Sequence, residues 1–142
     1  MTTSLLLLVA ALFRTSLVLL QVTSPLRVAK DIDACIERCE EKKAPACVSF
    51  VQSDKSPYLM FTIDDSDIIK PIIGNNIFPK KRQDLTPVYS LNGAVYVAKS
   101  KWIKKQDHFL TSETLGYVMP RERSIDIDIP LDLKILQMVF KN

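Results

Sequence analysis

Two aspartates near the C-terminus have the spacing best suited to chemistry. Asp126 and Asp128 alternate with isoleucines in the segment 124–129. We expect an extended strand there, and because alternate side chains of a strand share a face, both carboxylates would point the same way. Paired carboxylates repel one another unless a cation neutralises them, and Mg²⁺ prefers hard oxygen ligands. The pattern favours a magnesium site, and the plainer interpretation is an edge strand whose polar face lies in water.

A polar loop near the start of the chain contains a second group of candidate binding residues. Gln21, Thr23, Ser24 and Arg27 follow an apolar run that is typical of a buried strand. Open α/β sheets bind ligands beyond the carboxyl ends of their strands, where Arg27 could pair with a carboxylate or a phosphate. The alternative is a capped loop in which Thr23 and Ser24 bond the backbone that follows them.

A basic group in the long segment 71–87 is a third candidate. Lys81 and Arg82 lie in this segment, which shows no clear helical or strand period. A loop of this length inside a compact domain is usually functional or reaches a partner, so Arg82 could hold an anion. The alternative is that these charges are simply solvated, as most charge runs are.

The composition excludes several kinds of site. The three glycines lie too far apart for a glycine-rich phosphate loop, and the single histidine, His108, rules out multi-histidine metal cages. Three cysteines are an odd number and make a poor disulfide framework. The net charge of +3 suits anionic small ligands but is too small to argue for nucleic acid.

The apolar patterns of the 142 residues predict a single α/β domain. Strands are expected at 16–21 and 46–51, on either side of an amphipathic helix at 31–42 that buries Cys35 and Cys39. This order predicts a βαβ unit and a parallel sheet. The other expected elements are a hairpin around the acidic turn 64–67, strands at 94–98, 116–119 and 124–128, and a terminal helix at 130–140 whose apolar face is formed by Leu133, Leu136, Val139 and Phe140.

The apolar N-terminus allows two interpretations. Residues 5–13 resemble the core of a signal peptide or anchor, but no basic residue precedes them and no small-residue cleavage site follows. A spanning helix needs about 20 apolar residues, and Arg14 interrupts the run. We therefore expect a buried helix up to about residue 13 followed by a buried strand at 16–22, with a cytoplasmic location (or a nuclear one in a eukaryote) and no membrane partner.

Four segments, in order, resemble the acylneuraminate cytidylyltransferases, the CMP-sialic acid synthetases. Residues 20–27 (LQVTSPLR) are similar to the family's LQPTSPLR, and residues 82–85 (RQDL) to its RRQDLP-type segment. Residues 91–96 (LNGAVY) are similar to its NGAIY strand, and residues 124–128 (SIDID) to its SIDIDT. The resemblance extends from about Leu17 to the C-terminus. It implies a three-layer, Rossmann-like nucleotidyltransferase fold with a protruding dimerisation arm at about 53–88, and hence a homodimer.

The resemblance also implies a reaction. The anomeric hydroxyl of a sialic or related nonulosonic acid would attack the α-phosphate of CTP, with Mg²⁺ holding the phosphates, to give a CMP-sugar and pyrophosphate. Asp126 and Asp128 would coordinate the metal, and Arg82 would reach the sugar carboxylate from the partner subunit's arm. The other implied substrate-binding residues are Gln21, Thr23, Ser24, Arg27, Asn92, Tyr96 and Phe109.

The sequence departs from the family pattern at several positions. Val22 replaces a proline, Ser90 stands where many members have an arginine, and Ile129 replaces a threonine. The family's opening strand and its Gly-, Arg- and Lys-rich phosphate loop have no counterpart before Met1, so we expect an N-terminally truncated, partial domain. Loss of that strand should expose a sheet edge or an apolar face. The alternative to an active enzyme is an inactive remnant that retains dimerisation or sugar binding.

Overall fold

The computed structural model describes residues 9–13, 16–74 and 85–140. The chain divides into two compact units, one formed by Met1–Val51 with Leu91–Asn142 and the other by Gln52–Ser90. The second unit includes the residues expected to form the arm, about 53–88. Its role in dimerisation stays a prediction.

Within the described residues the chain is α/β, as predicted. The helices are α1 (Ala29–Glu41), α2 (Ser100–Ile103) and α3 (Pro130–Val139), and the strands are β1 (Val9–Phe13), β2 (Ser16–Leu20), β3 (Ala46–Gln52), β4 (Phe61–Ile63), β5 (Ile69–Pro71), β6 (Tyr89–Lys99) and β7 (Thr114–Val118). Five strands form one sheet in the order β1-β2-β6-β3-β7, and β4 pairs with β5. None of the helices in the described ranges is long and apolar enough to cross a membrane.

The sheet is mixed rather than parallel. β2 pairs antiparallel with β1 and with β6, whereas β3 pairs parallel with β7. Lys99 N donates to Pro45 O and Val95 N donates to Ser49 Oγ, so β6 also runs antiparallel to β3. The predicted β2-α1-β3 unit is therefore present, but β6 lies between its two strands. A helix that connects two parallel strands can carry the chain past a strand that lies between them. The periodicity of the sequence does not show which later strand takes that place.

Two predicted elements differ from the structure. Residues 9–13 form β1 and not the expected helix. A short apolar run is compatible with either element, and here pairing with β2 makes it a strand. Residues 124–128 belong to no strand and follow the 3₁₀ turn Arg121–Arg123. We call residues 124–129 the Asp126 segment. Its alternating apolar and polar residues are therefore not the result of pairing with a described strand.

The core lies between α1 and the sheet. Cys35 and Cys39 on α1 are buried against Cys47, Val95 and Val97, and all three cysteines are free thiols. The prediction that these cysteines are core residues is confirmed. The hydrogen bond with Cys35, together with burial, outweighs the opposing hydrogen bond with Cys39 and raises the pKa of Cys47 to about 12, so this thiol is protonated at neutral pH.

The helix α3 has the predicted position but not the predicted burial. Leu136 is its buried residue, while Leu133, Val139 and Phe140 are exposed. Asp132 accepts hydrogen bonds from Asp128 N and Ile129 N at the start of the helix. The apolar face of α3 is therefore largely exposed within the described residues, and an exposed face caused by a missing N-terminal strand stays a prediction.

The predicted hairpin is confirmed in the second unit. β4 and β5 pair antiparallel, with Phe61 opposite Pro71. In the acidic turn, Asp64 Oδ1 accepts hydrogen bonds from Ser66 N and Ile68 N, and Asp64 Oδ2 pairs with Lys70 Nζ at 2.9 Å. The turn is thus closed by its own first aspartate.

Candidate functional site

Polar residues from two separate segments meet at Gly93 in β6. Its φ of +69° lies in the left-handed region that glycine adopts without strain. A Cβ atom here would collide with Gln21 Oε1 and would lie 3.2 Å from Ser24 Oγ and 3.3 Å from Asp126 Oδ2. An amide, a hydroxyl and a carboxylate therefore converge over one backbone position. We call Gln21, Ser24, Gly93 and Asp126 the Gly93 site.

The loop 21–28 supplies two of these side chains because it begins where β2 ends. Ser24 is fully buried, and its hydroxyl lies 2.9 Å from Asn92 O and 3.4 Å from Asp126 Oδ1. Ser24 thus bonds residues far along the chain, unlike the simple capped loop that was the alternative. Thr23 contributes its backbone carbonyl, which accepts a 2.8 Å hydrogen bond from Ile127 N.

The side chain of Arg27 closes this loop. Its Nη1 donates to the carbonyl oxygens of Gln21 and Ser24. Burial lowers the pKa of Arg27, although a guanidinium remains charged at neutral pH. The nitrogen that could have met an anionic ligand is thus used to shape the loop. This nitrogen of Arg27 thus holds the backbone of Gln21 and Ser24, and binding of an anion by Arg27 stays a prediction.

Asn92 lies at the centre of a buried hydrogen-bond network. Its Oδ1 accepts from Ser49 Oγ at 2.6 Å, and its Nδ2 donates to Ser124 Oγ at 3.0 Å. Ser124 Oγ in turn donates to Pro120 O at 2.7 Å. Asn92 was predicted to bind substrate, but both ends of its amide are engaged inside the protein. It joins β3 and β6 to the start of the Asp126 segment.

The two predicted metal ligands have different surroundings. Asp126 is partly buried against Gly93 and Ser24, whereas Asp128 is exposed where α3 begins. They do not share the face of a strand, because the Asp126 segment is irregular. The described residues contain no cluster of three or more histidine, cysteine or acidic side chains that could hold a metal ion. Protein ligands alone do not form a closed metal cage here.

Tyr96 and Phe109 form an aromatic pair in the same unit. Their ring centroids lie 5.4 Å apart, and the rings meet edge to face at 66°. Burial, and secondarily the negative charge of Asp126, raises the pKa of the Tyr96 phenol. The phenol therefore stays protonated at neutral pH and is able to donate a hydrogen bond. Of the remaining predicted residues, Arg82 lies outside the described ranges.

A partly buried ion pair connects α1 to the turn that precedes the Asp126 segment. Asp31 has no exposed surface, and Arg123 Nε and Nη2 donate to its two carboxylate oxygens at 3.0 and 2.8 Å. Val28 N and Tyr117 Oη also donate to Asp31, at 3.0 and 3.3 Å. Burial by itself would raise the pKa of Asp31, but the hydrogen bonds from Arg123 and Val28 outweigh it and lower the pKa.

This lowered pKa predicts a defined pH dependence of stability. A carboxylate whose folded pKa lies below its unfolded value contributes stability above the unfolded pKa, about 3.9 for Asp, and loses it as pH falls through the folded pKa. We expect Asp31→Asn to lower the free energy of unfolding at pH 7 by about 1–3 kcal/mol, because Arg123, Val28 and Tyr117 lose a charged, buried acceptor. Urea denaturation at pH 7 and pH 3 measures this difference, which should shrink at pH 3. An equal difference at both values would contradict the assignment.

The sequence predictions missed several residues that build this site. Gly93 belongs to the segment LNGAVY, but the approach of Gln21 to it is a tertiary contact that no local pattern indicates. Ser49 and the pair Asp31–Arg123 had no local signal, since their partners are 43 and 92 residues away in the chain.

Comparison with known proteins finds relatives named as a cytidylyltransferase and as a CMP-sugar synthase. The chain is 36% identical over 111 residues to the N-acylneuraminate cytidylyltransferase of Streptococcus agalactiae serotype V. The aligned residues make up 78% of this chain and 27% of that protein. It is 29% identical over 136 residues to the CMP-N,N'-diacetyllegionaminic acid synthase of Legionella pneumophila, covering 91% of this chain and 55% of the relative.

A third relative, the N-acylneuraminate cytidylyltransferase of Escherichia coli, is 27% identical over 121 residues and is covered over 28% of its length. No protein-family model matches the chain. The chain thus spans between about a quarter and about half of the length of these curated relatives. Within that span, the chain is homologous to the acylneuraminate cytidylyltransferase family.

Proposed function

We propose that this chain forms part of the active site of a cytidylyltransferase that joins CMP to a sialic or related nonulosonic acid. The observation that carries the proposal is the convergence of Gln21, Ser24 and Asp126 over Gly93. The names of the relatives, N-acylneuraminate cytidylyltransferase and CMP-N,N'-diacetyllegionaminic acid synthase, support both the reaction and the class of sugar. CTP would be the nucleotide donor, and pyrophosphate would leave.

The chemistry of the Gly93 site suits a polyhydroxylated acid. The Gln21 amide both donates and accepts hydrogen bonds, and the protonated Tyr96 phenol donates them. Phe109, packed edge to face against Tyr96, would provide an apolar wall. Ligand pockets commonly combine such an apolar wall with a few well-placed polar groups. We assign Gln21, Tyr96 and Phe109 to the sugar pocket.

The donor set at Asp126 fits Mg²⁺ in its usual role with nucleotides. This ion is commonly bound by one or two carboxylates together with substrate phosphates, and it keeps several waters. Asp126 supplies a carboxylate at the Gly93 site, and exposed Asp128 would be the second. When bound, the ion would neutralise the negative charge of the phosphates during transfer. Asp126 would therefore hold the positively charged ion beside the sugar pocket.

The unit Gln52–Ser90 would act as a dimerisation arm. It exposes several large apolar side chains, among them Ile63, Ile68 and Ile72. In a homodimer the arm would bring Arg82 to the partner's sugar carboxylate. We expect sedimentation equilibrium to give the mass of a dimer, and a monomer at all concentrations would contradict this part of the proposal.

Pyrophosphate release tests the reaction directly. Folded chain is incubated with CTP, Mg²⁺ and either N-acetylneuraminic acid or N,N'-diacetyllegionaminic acid, and pyrophosphate is measured over time. We expect release that requires CTP, the sugar and the metal together. Sugar binding by calorimetry without release would favour the alternative of a binding remnant. A folded chain that neither binds these ligands nor releases pyrophosphate would overturn the proposal.

A further inference from the structure

The Asp126 segment depends on very few contacts for its position. It belongs to no helix or strand, so no ladder of backbone hydrogen bonds holds it. Beyond it, the chain enters α3 at Pro130. The described hydrogen bonds that join it to other segments of the unit are those from Asn92 to Ser124, from Ser24 to Asp126 and from Ile127 N to Thr23 O. Its two ends are bonded to the turn before it and to Asp132 in α3. Because Ser124 follows directly on the turn Arg121–Arg123, the position of that turn also influences the direction in which Asp126 points.

Arg123 directly precedes the Asp126 segment and joins its beginning to α1. It ends the 3₁₀ turn Arg121–Arg123 and makes two parallel hydrogen bonds to Asp31, which has no exposed surface. A bidentate guanidinium–carboxylate pair fixes orientation as well as distance. Asp31 lies in the first turn of α1, so the pair anchors the turn to a regular helix.

The same carboxylate also reaches the other loop of the site. Asp31 Oδ2 accepts from Val28 N, at the end of the loop 21–28 that supplies Gln21 and Ser24. One buried side chain thus joins both segments that meet over Gly93. Tyr117 Oη donates to Asp31 Oδ1 and adds a contact from β7. Displacement of Arg123 would loosen the Asp126 segment relative to the loop that carries its partners.

We propose that Arg123 is a positioning residue that acts through Asp31 to hold Asp126 over Gly93. The inference deepens the proposed function and, as far as catalysis is concerned, rests on it. Lysine at position 123 keeps the charge but cannot form the two parallel bonds. Arg123→Lys therefore separates the geometry of the pair from its charge, and Arg123→Gln removes both.

The first test needs no activity. Hydrogen exchange of the Ile127 amide, measured by NMR, reports how firmly the Asp126 segment is docked. We expect exchange at Ile127 to become at least about 10-fold faster in Arg123→Gln than in the wild type, once rates are corrected for global stability. Val97→Ala, a core substitution in β6, is the matched control and should change Ile127 no more than core amides. Unchanged protection at Ile127 in Arg123→Gln would overturn the inference, whether or not the chain is active.

The second test asks whether Arg123 acts through Asp126. In the active chain, Arg123→Lys should lower kcat about 10-fold and raise the Mg²⁺ concentration for half-maximal rate, while Val97→Ala should leave that concentration unchanged. In the Asp126→Asn background, Arg123→Lys should have little further effect, because residues that act through one another are not additive. Additive losses would overturn the inference. An inactive wild-type chain would count against the proposed function alone, and Ile127 exchange would still decide the role of Arg123.

Discussion

We expect Asp126→Asn to lower the proposed Mg²⁺-dependent pyrophosphate release by about 100-fold or more, because it removes a charge that would act on the transferring phosphate. Asparagine has nearly the same shape and can still meet Ser24, so the fold should be retained. Its neutral amide, however, holds Mg²⁺ poorly. Initial rates at a series of Mg²⁺ concentrations, with circular dichroism as the check on folding, measure the effect.

Two further variants show whether the loss is specific. Asp33→Asn makes the same chemical change on an exposed position of α1 and should leave the rate within about twofold. Asp128→Asn should lose less than Asp126→Asn, because Asp128 is exposed and lies outside the Gly93 site. Full activity in Asp126→Asn, or an equal loss in Asp33→Asn, would remove Asp126 from the proposed metal site.

Gly93→Ala should disrupt both stability and the site. The left-handed backbone at φ +69° costs a residue with a Cβ about 1–3 kcal/mol. The new methyl group would also displace Gln21 and press against Ser24 and Asp126. We expect a lower free energy of unfolding in urea and a loss of kcat/KM that exceeds what the unfolded fraction explains.

Gly74→Ala is the matched control for this substitution. Gly74 has a similar φ of +77°, but a Cβ there would meet no atom of the described residues within 4 Å. It should therefore incur the backbone cost alone, and the difference between the two variants measures the contact over Gly93. If both variants lose the same stability and the same activity, the convergence of side chains on Gly93 is not the basis of the site.

The sequence predicted those parts of the structure that depend on local chemistry. The amphipathic helix α1, the hairpin β4–β5 and the position of α3 follow from periodicity and turn residues within a few positions of one another. The exclusion of a glycine-rich loop and of a multi-histidine site follows from composition alone. The resemblance to the cytidylyltransferases came from short ordered segments, and the relatives confirm it.

The local signal failed where pairing decides the structure. The apolar run at residues 9–13 is compatible with either a helix or a strand. Pairing with β2 makes it a strand. The alternating pattern at 124–128 resembles a strand, yet no neighbour pairs with it. Helical spacing correctly located α3, but its apolar face stays exposed because burial depends on what packs against it.

The candidate site was predicted in part for the same reason. Gln21, Ser24 and Asp126 could be proposed from their residue types and motifs, but their convergence depends on the position of β6 beside β2. Only the tertiary structure shows that Arg27 and Asn92 are engaged inside the protein. A pair such as Asp31–Arg123, separated by 92 residues, has no sequence pattern because it exists only when both elements are folded together. Residue chemistry thus determined which groups were available, and tertiary packing decided which of them face one another.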